Sequence, residues 1–125
     1  PRGFLREIEA GQRSLTAITG REPRFFRAPA GLRNPFLDPV LARLDLQLAS
    51  WTRRGFDTRT RDAAAVSARL LRDLAAGDIL LLHDGHAARS REGRPVILDA
   101  LPQVLAAIQR AGLRPVTLQS AVCGP

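Results

Sequence analysis

The apolar run from Ile79 to Leu82 is framed by Gly77-Asp78 on one side and His83-Asp84-Gly85 on the other. It is too short and too uniformly apolar for a surface helix, and it predicts a strand buried on both faces. Strands of that kind belong to parallel sheets, where crossover helices cover both sides. The rest of the sequence must therefore supply helices between short strands.

It does so repeatedly. Phe4 to Thr19 reads as a helix, with Leu5, Ile8, Leu15 and Ile18 near helical spacing and Gly20 placed to end it. Arg24 to Arg27, "RFFR", is a short strand candidate between Pro23 and Pro29. Asp38-Pro39 has the form of a helix start, with Asp as N-cap and Pro at the first helical position. The short helix "PVLARLD" then leads to a strand, "LQLAS", over 46–50. Asp62 is placed to cap a third helix, Ala63 to Ala76, whose stripe is Val66, Leu70, Leu71 and Leu74, with Gly77 as its left-handed terminator. After the Ile79–Leu82 strand, the polar segment Asp84 to Arg94 reads as loop. A fourth helix is predicted from Asp99 to Ala111, bearing Leu101, Val104, Leu105 and Ile108. Pro102 belongs in its first turn, and Gly112 ends it. "RPVTL", 114–118, is the last predicted strand. Alternation of this kind specifies the α/β class, with right-handed crossovers and a parallel sheet covered by helices. The length of 125 residues suits one domain over 1–125.

Composition excludes more than it names. The net charge of +7 suggests nucleic acid at first sight. All 19 basic residues are Arg, however, and with the abundant Ala, Leu, Gly and Pro this resembles the codon bias of a GC-rich genome. The arginines are scattered, and the chain lacks Tyr and has one Trp, so the aromatic platforms of a single-strand binder are missing. No nucleic-acid partner is expected. No run of about 18 apolar residues occurs, so no membrane span is expected either. Cys123 has neither a disulfide partner nor metal-ligand spacing. The chain starts at Pro1 and contains no Met, which reads as an internal position of a longer protein, so compartment (bacterial cytoplasm or cell envelope) and oligomeric state stay open.

Ligands of parallel α/β folds gather at the carboxyl ends of the strands. Those ends carry Arg27 before "APAGLRNP", Ser50-Trp51 before "TRRGFDTR" with Asp57, and His83-Asp84-Gly85. Each has a bland reading. Arg27 alone suits a surface ion pair, Trp51 suits packing, His83 suits a hydrogen-bonded strand terminus, and Asp84-Gly85 suits a turn. His83 and His86 lack a third ligand for a metal. There is no phosphate loop and no G-x-S-x-G elbow. The three loops together make a stronger pattern than any one.

In order and spacing they resemble the polysaccharide deacetylases, the NodB-homology domains of carbohydrate esterase family 4. "FRAPAG" is similar to that family's R-x-P motif, with Arg27, Pro29, Ala30 and Gly31. "SWTRRGFDT" resembles its Trp-Ser and D-x-x-D-W motif, with Trp51 on the first Trp and Asp57 on the second Asp. Leu81, Leu82, His83 and Asp84 match L-x-H-D fully, preceded by "GDIL", and "ALPQVLAAIQRAGLRPVTL" fits the closing pattern. The resemblance covers essentially the whole chain from Phe25 onward.

It implies the C-terminal part of an irregular (β/α) barrel-like domain and a metal-dependent hydrolase acting on carbon–nitrogen (non-peptide) bonds. The implied reaction removes an N-acetyl or O-acetyl group from an acetylated polysaccharide or oligosaccharide. In such a site a divalent metal, zinc by family expectation, polarises the acetyl carbonyl and activates water. His83 would be the general acid, with Asp57 the carboxylate that favours its charged form. Arg27 would orient the base Asp through a charge-assisted hydrogen bond. Leu81 would line the acetate methyl pocket, and the Ala30 N–H would hold the oxyanion. Trp51, Pro29 and Asp84 would contact substrate.

The departures are as specific. The family's T-F-D-D and H-x-x-x-H motifs, which supply the base and the metal ligands, are absent. This chain thus carries the general-acid half of a site with no metal ligand of its own, and the isolated fragment is expected to be inactive. Ala30 stands for the usual Tyr, Arg54 for the first Asp of the fourth motif and Thr58 for its final Trp, with Phe56 as partial compensation. The alternative is a non-catalytic α/β module that binds carbohydrate or nucleic acid.

Overall fold

Among the described residues both strand pairs are two residues long, parallel, and joined through a helix. The computed structural model describes residues 2–123. Its contacts divide it into two compact units, Pro1–Ser50 and Trp51–Pro125, each with its own core.

The first unit runs α1 (Arg2–Thr19), β1 (Phe25–Phe26), a 3-10 turn (Pro29–Gly31), α2 (Leu37–Arg43) and β2 (Gln47–Leu48). β1 and β2 pair in parallel, Phe25 with Gln47 and Phe26 with Leu48. Ile8, Ala28, Leu37, Val40, Leu41 and Leu46 form the core, with Phe4, Leu5, Phe26, Leu44 and Leu48 packed around them. Only the amino half of the predicted α1 stripe is used: Leu15 and Ile18 are 51% and 82% exposed. The predicted Asp38 cap is shifted. The helix begins at Leu37 with Phe36 as N-cap, and the Asn34 side chain accepts the Phe36 N–H at 2.9 Å. Asp38 sits in the first turn, where it pairs with Arg33 at 3.0 Å.

The second unit runs β3 (Arg53–Arg54), α3 (Ala63–Leu71), β4 (Leu80–Leu81), α4 (Val96–Arg110) and α5 (Leu118–Cys123). β3 and β4 are parallel, with Arg53 opposite Leu80 and Arg54 opposite Leu81. α3 packs on α4 through Val66, Leu70, Val96, Ala100, Val104 and Ile108. Full burial of a residue such as Leu70 stabilises by about 1.5–3 kcal/mol. The one buried hydroxyl in this contact, Ser67 Oγ, donates to the Ala100 carbonyl at 3.3 Å. Asp62 caps α3 as the sequence predicts, accepting the Ala64 N–H at 2.9 Å.

Four expectations are corrected here. α3 stops at Leu71 rather than Ala76, because Arg72 is extended (ψ 120°) and, with left-handed Asp73 (φ 50°), closes a turn in which the Leu74 N–H donates to the Leu71 carbonyl; Gly77 serves a later turn. α4 begins at Val96, so Pro102 lies inside the helix instead of in its first turn. Pro102 removes one intrahelical hydrogen bond on the exposed side of the helix, where water is available to the freed carbonyl. Leu101 and Leu105 accordingly face outward, 40% and 45% exposed, while Ala100, Val104 and Ile108 make the core. "RPVTL" forms no strand, and its end enters α5.

The amino ends of β3 and β4 are held by side chains. Thr52 Oγ1 donates to Asp78 Oδ1 at 2.7 Å and accepts the Ile79 N–H at 2.9 Å. Arg53 Nε donates to Asp78 Oδ2 at 3.2 Å, and its Nη2 reaches the Asp73 carbonyl at 2.7 Å. The Ala75 N–H also donates to Asp78, at 2.9 Å. Hydrogen bonds from Thr52 first, then Ala75 and Arg53, hold the Asp78 carboxyl below the usual carboxylate range.

Candidate active site

The carboxyl ends of the same two strands bring together two of the sequence-predicted site residues. Asp57 lies three residues beyond β3 and His83 two beyond β4, so the parallel pairing delivers them side by side. The His83 backbone N–H donates to Asp57 Oδ2 at 2.7 Å, and its Nδ1 lies 2.9 Å from Oδ1. Asp57 is 1% exposed, whereas the His83 side chain is 42% exposed. A buried carboxylate thus holds a ring whose other side remains accessible. Because a carboxylate accepts and does not donate, the nitrogen facing it is the proton-bearing one. Nε2 is left as the ring nitrogen free to act on a ligand.

Several local features fix this pair. The Asp57 carbonyl accepts the Ala88 N–H at 2.7 Å, tying the loop after β3 to the loop after β4. Gly55 lets the strand end lie against α3, since a Cβ there would stand 2.7 Å from Val66 Cγ1 and 3.2 Å from Leu70. Phe56 is left-handed (φ 56°), which turns the chain sharply just before Asp57. Ala30 (φ 53°) and His86 (φ 59°) do the same in the loops after β1 and β4. Non-glycine residues in this region cost about 1–3 kcal/mol and concentrate at functional loops.

The remaining sequence-predicted residues fall as follows. Leu81 is half-buried in β4, on the same face of the strand as His83 by alternation. Asp84 is exposed and closes its own turn by accepting the Gly85 N–H at 2.7 Å. Trp51 is half-buried and precedes β3, so a strand separates it from Asp57. The segment read as one Trp–Asp loop is therefore divided, with Trp51 at the amino end of β3 and Asp57 at the other. Arg27, Pro29 and Ala30 belong to the first unit. Arg27 donates through Nε to the Ala49 carbonyl at 3.2 Å and through Nη2 to that of Ser50 at 3.3 Å, bridging the ends of β1 and β2. Sequence reasoning missed the stack of Arg54 on Phe56, whose guanidinium carbon lies 3.9 Å from the ring centroid. Its signal was the i, i+2 spacing at a strand end.

Among the described residues no group of three or more His, Cys, Asp or Glu is placed to hold a metal ion. His83 Nδ1 engages Asp57 Oδ1, the His83 backbone N–H engages Oδ2, and His86 is exposed. The donors present do not fit a divalent-metal site on their own.

No protein-family model and no curated protein matches the chain. Solved structures do. A family 4 carbohydrate esterase from Streptomyces lividans, in complex with acetate, superposes with a TM-score of 0.82 at 24% identity, over 97% of this chain and 58% of that one. The peptidoglycan deacetylase PdaC from Bacillus subtilis gives 0.74 at 22% identity, over 95% and 54%. A CE4 family pseudoenzyme from Bacillus anthracis gives 0.75 at 17% identity, over 88% and 36%. The chain has the fold of these carbohydrate esterases, an α/β arrangement with parallel strands, and spans little more than half the length of the first two.

Proposed function

We propose that this chain, sharing the fold of the family 4 carbohydrate esterases, carries the general-acid half of a carbohydrate deacetylase. The observation that supports it best is the His83–Asp57 pair at the carboxyl ends of β3 and β4. Hydrolysis of an acetamide or acetate ester breaks the bond from the acetyl carbon to nitrogen or oxygen, and that leaving atom must acquire a proton. His83 supplies it from Nε2 when the ring carries a proton on both nitrogens, and the ring is left neutral with its remaining proton on Nδ1, held in plane by Asp57. Leu81 gives the acetyl methyl an apolar neighbour. By the motif resemblance alone, the Ala30 N–H would hold the oxyanion, Arg27 would act by positioning, and Trp51, Pro29 and Asp84 would contact the glycan. A divalent metal, when bound by residues outside this chain, supplies a polarised carbonyl and a more acidic water. None of the roles given to this chain's residues is a ligand role.

The pseudoenzyme neighbour favours a second reading, in which the same fold binds glycan without turnover. The two are separated by acetate release from acetylated oligosaccharides, measured on the full-length protein containing this chain. His83→Ala should abolish release while leaving bound metal unchanged. Retained activity in that variant removes His83 from the acid role. Absence of release from the unaltered protein, with glycan binding intact, selects the second reading. Reading the coding sequence upstream of Pro1 for T-F-D-D and H-x-x-x-H is the cheaper first step.

A further inference from the structure

The segment that delivers Asp57, "TRRGFDTRTRD" over 52–62, holds four arginines and two aspartates. Both carboxylates are occupied within the fold, Asp57 by His83 and Asp62 by the amino end of α3. Arg53 is spent on Asp78 at the other end of the strand. Arg54 points the opposite way by strand alternation, toward the face of Phe56. Its guanidinium stacks on that ring at 3.9 Å and, among the described residues, makes no hydrogen bond or ion pair. Arg69 approaches the ring at 5.9 Å but is held by Thr60 Oγ1 at 2.8 Å and by the Gly55 carbonyl at 3.4 Å.

Stacking restrains the plane of a guanidinium without using any of its five N–H donors. A long exposed side chain normally loses several rotors' freedom when it binds an anion, and here the ring has already restricted them. The result is a flat, pre-oriented cationic fork three residues before the buried partner of His83, in a segment with no free carboxylate to neutralise it. Bidentate carboxylate recognition is what such a fork does best.

We infer that Arg54, stacked on Phe56, is a specificity-determining residue that recognises a carboxylate on the sugar next to the one bearing the acetyl group. The preferred substrate is then an acidic acetylated glycan. This rests on the deacetylase reading above, and the test separates the two.

The probes are an oligosaccharide alternating N-acetylglucosamine with glucuronate, and the same compound with its carboxyls reduced to alcohols. Dissociation constants and acetate release are measured for both on the full-length protein. The acidic probe should bind about tenfold more tightly than the reduced one, with a preference that shrinks as salt rises. Arg54→Gln should bring the ratio to about one, whereas Arg72→Gln, an exposed arginine after α3, should leave it unchanged. Equal affinities in the unaltered protein, no binding of the acidic probe, or equal losses on both probes in Arg54→Gln would overturn the inference. Acetate release reads the deacetylase proposal separately: an acidic preference in binding without release from either probe sinks that proposal and leaves Arg54 as a glycan-binding determinant.

Discussion

His83 reaches Asp57 twice, through its backbone N–H and through Nδ1, each ending on a different carboxylate oxygen at 2.7 and 2.9 Å. Both partners of that double contact lie at strand ends, so the side-chain geometry is inherited from backbone register.

Asp57→Asn tests what the carboxylate does beyond filling space. A carboxamide offers one acceptor and one donor group. If its oxygen keeps the His83 N–H, its amide NH2 faces Nδ1 and opposes a proton there. Deacetylation by the full-length protein should fall by about 10²–10⁴-fold, the usual worth of a general acid. Nitrogen NMR of the neutral His83 ring should show its single proton moved from Nδ1 to Nε2. An unchanged rate would show that His83 needs no carboxylate partner.

Gly55→Ala should destabilise the second unit. The new Cβ would stand 2.7 Å from Val66 Cγ1, a stiff β-branched neighbour, and crowding of this kind costs about 1–3 kcal/mol. Denaturant unfolding measures it. Combining it with Val66→Ala should cost less than the sum of the two single changes, because the second removes the obstruction. Strict additivity would place the strain elsewhere.

Asp62→Ala removes the side-chain acceptor for the Ala64 N–H at the start of α3. The expected loss is about 1 kcal/mol, and Asp62→Ser should restore most of it. Urea midpoints at constant slope would report both. No difference between Ala and Ser would mean that the cap contributes nothing.

Asp78 gives the pH dependence. Its folded carboxyl titrates below its unfolded counterpart, so the unfolded chain binds the proton more readily. The associated stabilisation is fully present above the unfolded value, near pH 4, and is lost as pH falls through the lower folded value. Stability measured from pH 6 downward should decline in that window, and Asp78→Asn should flatten the decline while lowering stability at neutral pH. An identical acid profile in the variant would exclude Asp78 as its source.

The sequence made some features legible because one residue type carried the whole cause. Asp62 before an apolar-periodic run is a cap by local chemistry alone, and the helix starts where it says. His83 could be placed at a strand end because four apolar residues precede it. β3 was not legible. Arg53 and Arg54 carry no strand signal, and they pair with Leu80 and Leu81 only because Thr52 and Asp78 anchor the approach. Missing that strand merged Trp51 and Asp57 into one loop. α4 differs for a related reason: by sequence Pro102 belongs in a first turn, but packing of Val96, Ile97 and Ala100 extends the helix ahead of it. "RPVTL" has strand composition, yet nothing among the described residues pairs with it. Contacts distant in sequence decided each of these cases.

The β3–β4 pair has only two residues per strand, too few for an apolar pattern to choose one alignment over its neighbour. What chooses is a polar clasp at each end, Thr52 with Asp78 before the strands and Asp57 with His83 after them. A slip of one residue would break both at once. The contact that holds the ring of His83 is therefore also a ruler for chain alignment, and a substitution that removes the carboxylate's acceptors loosens both.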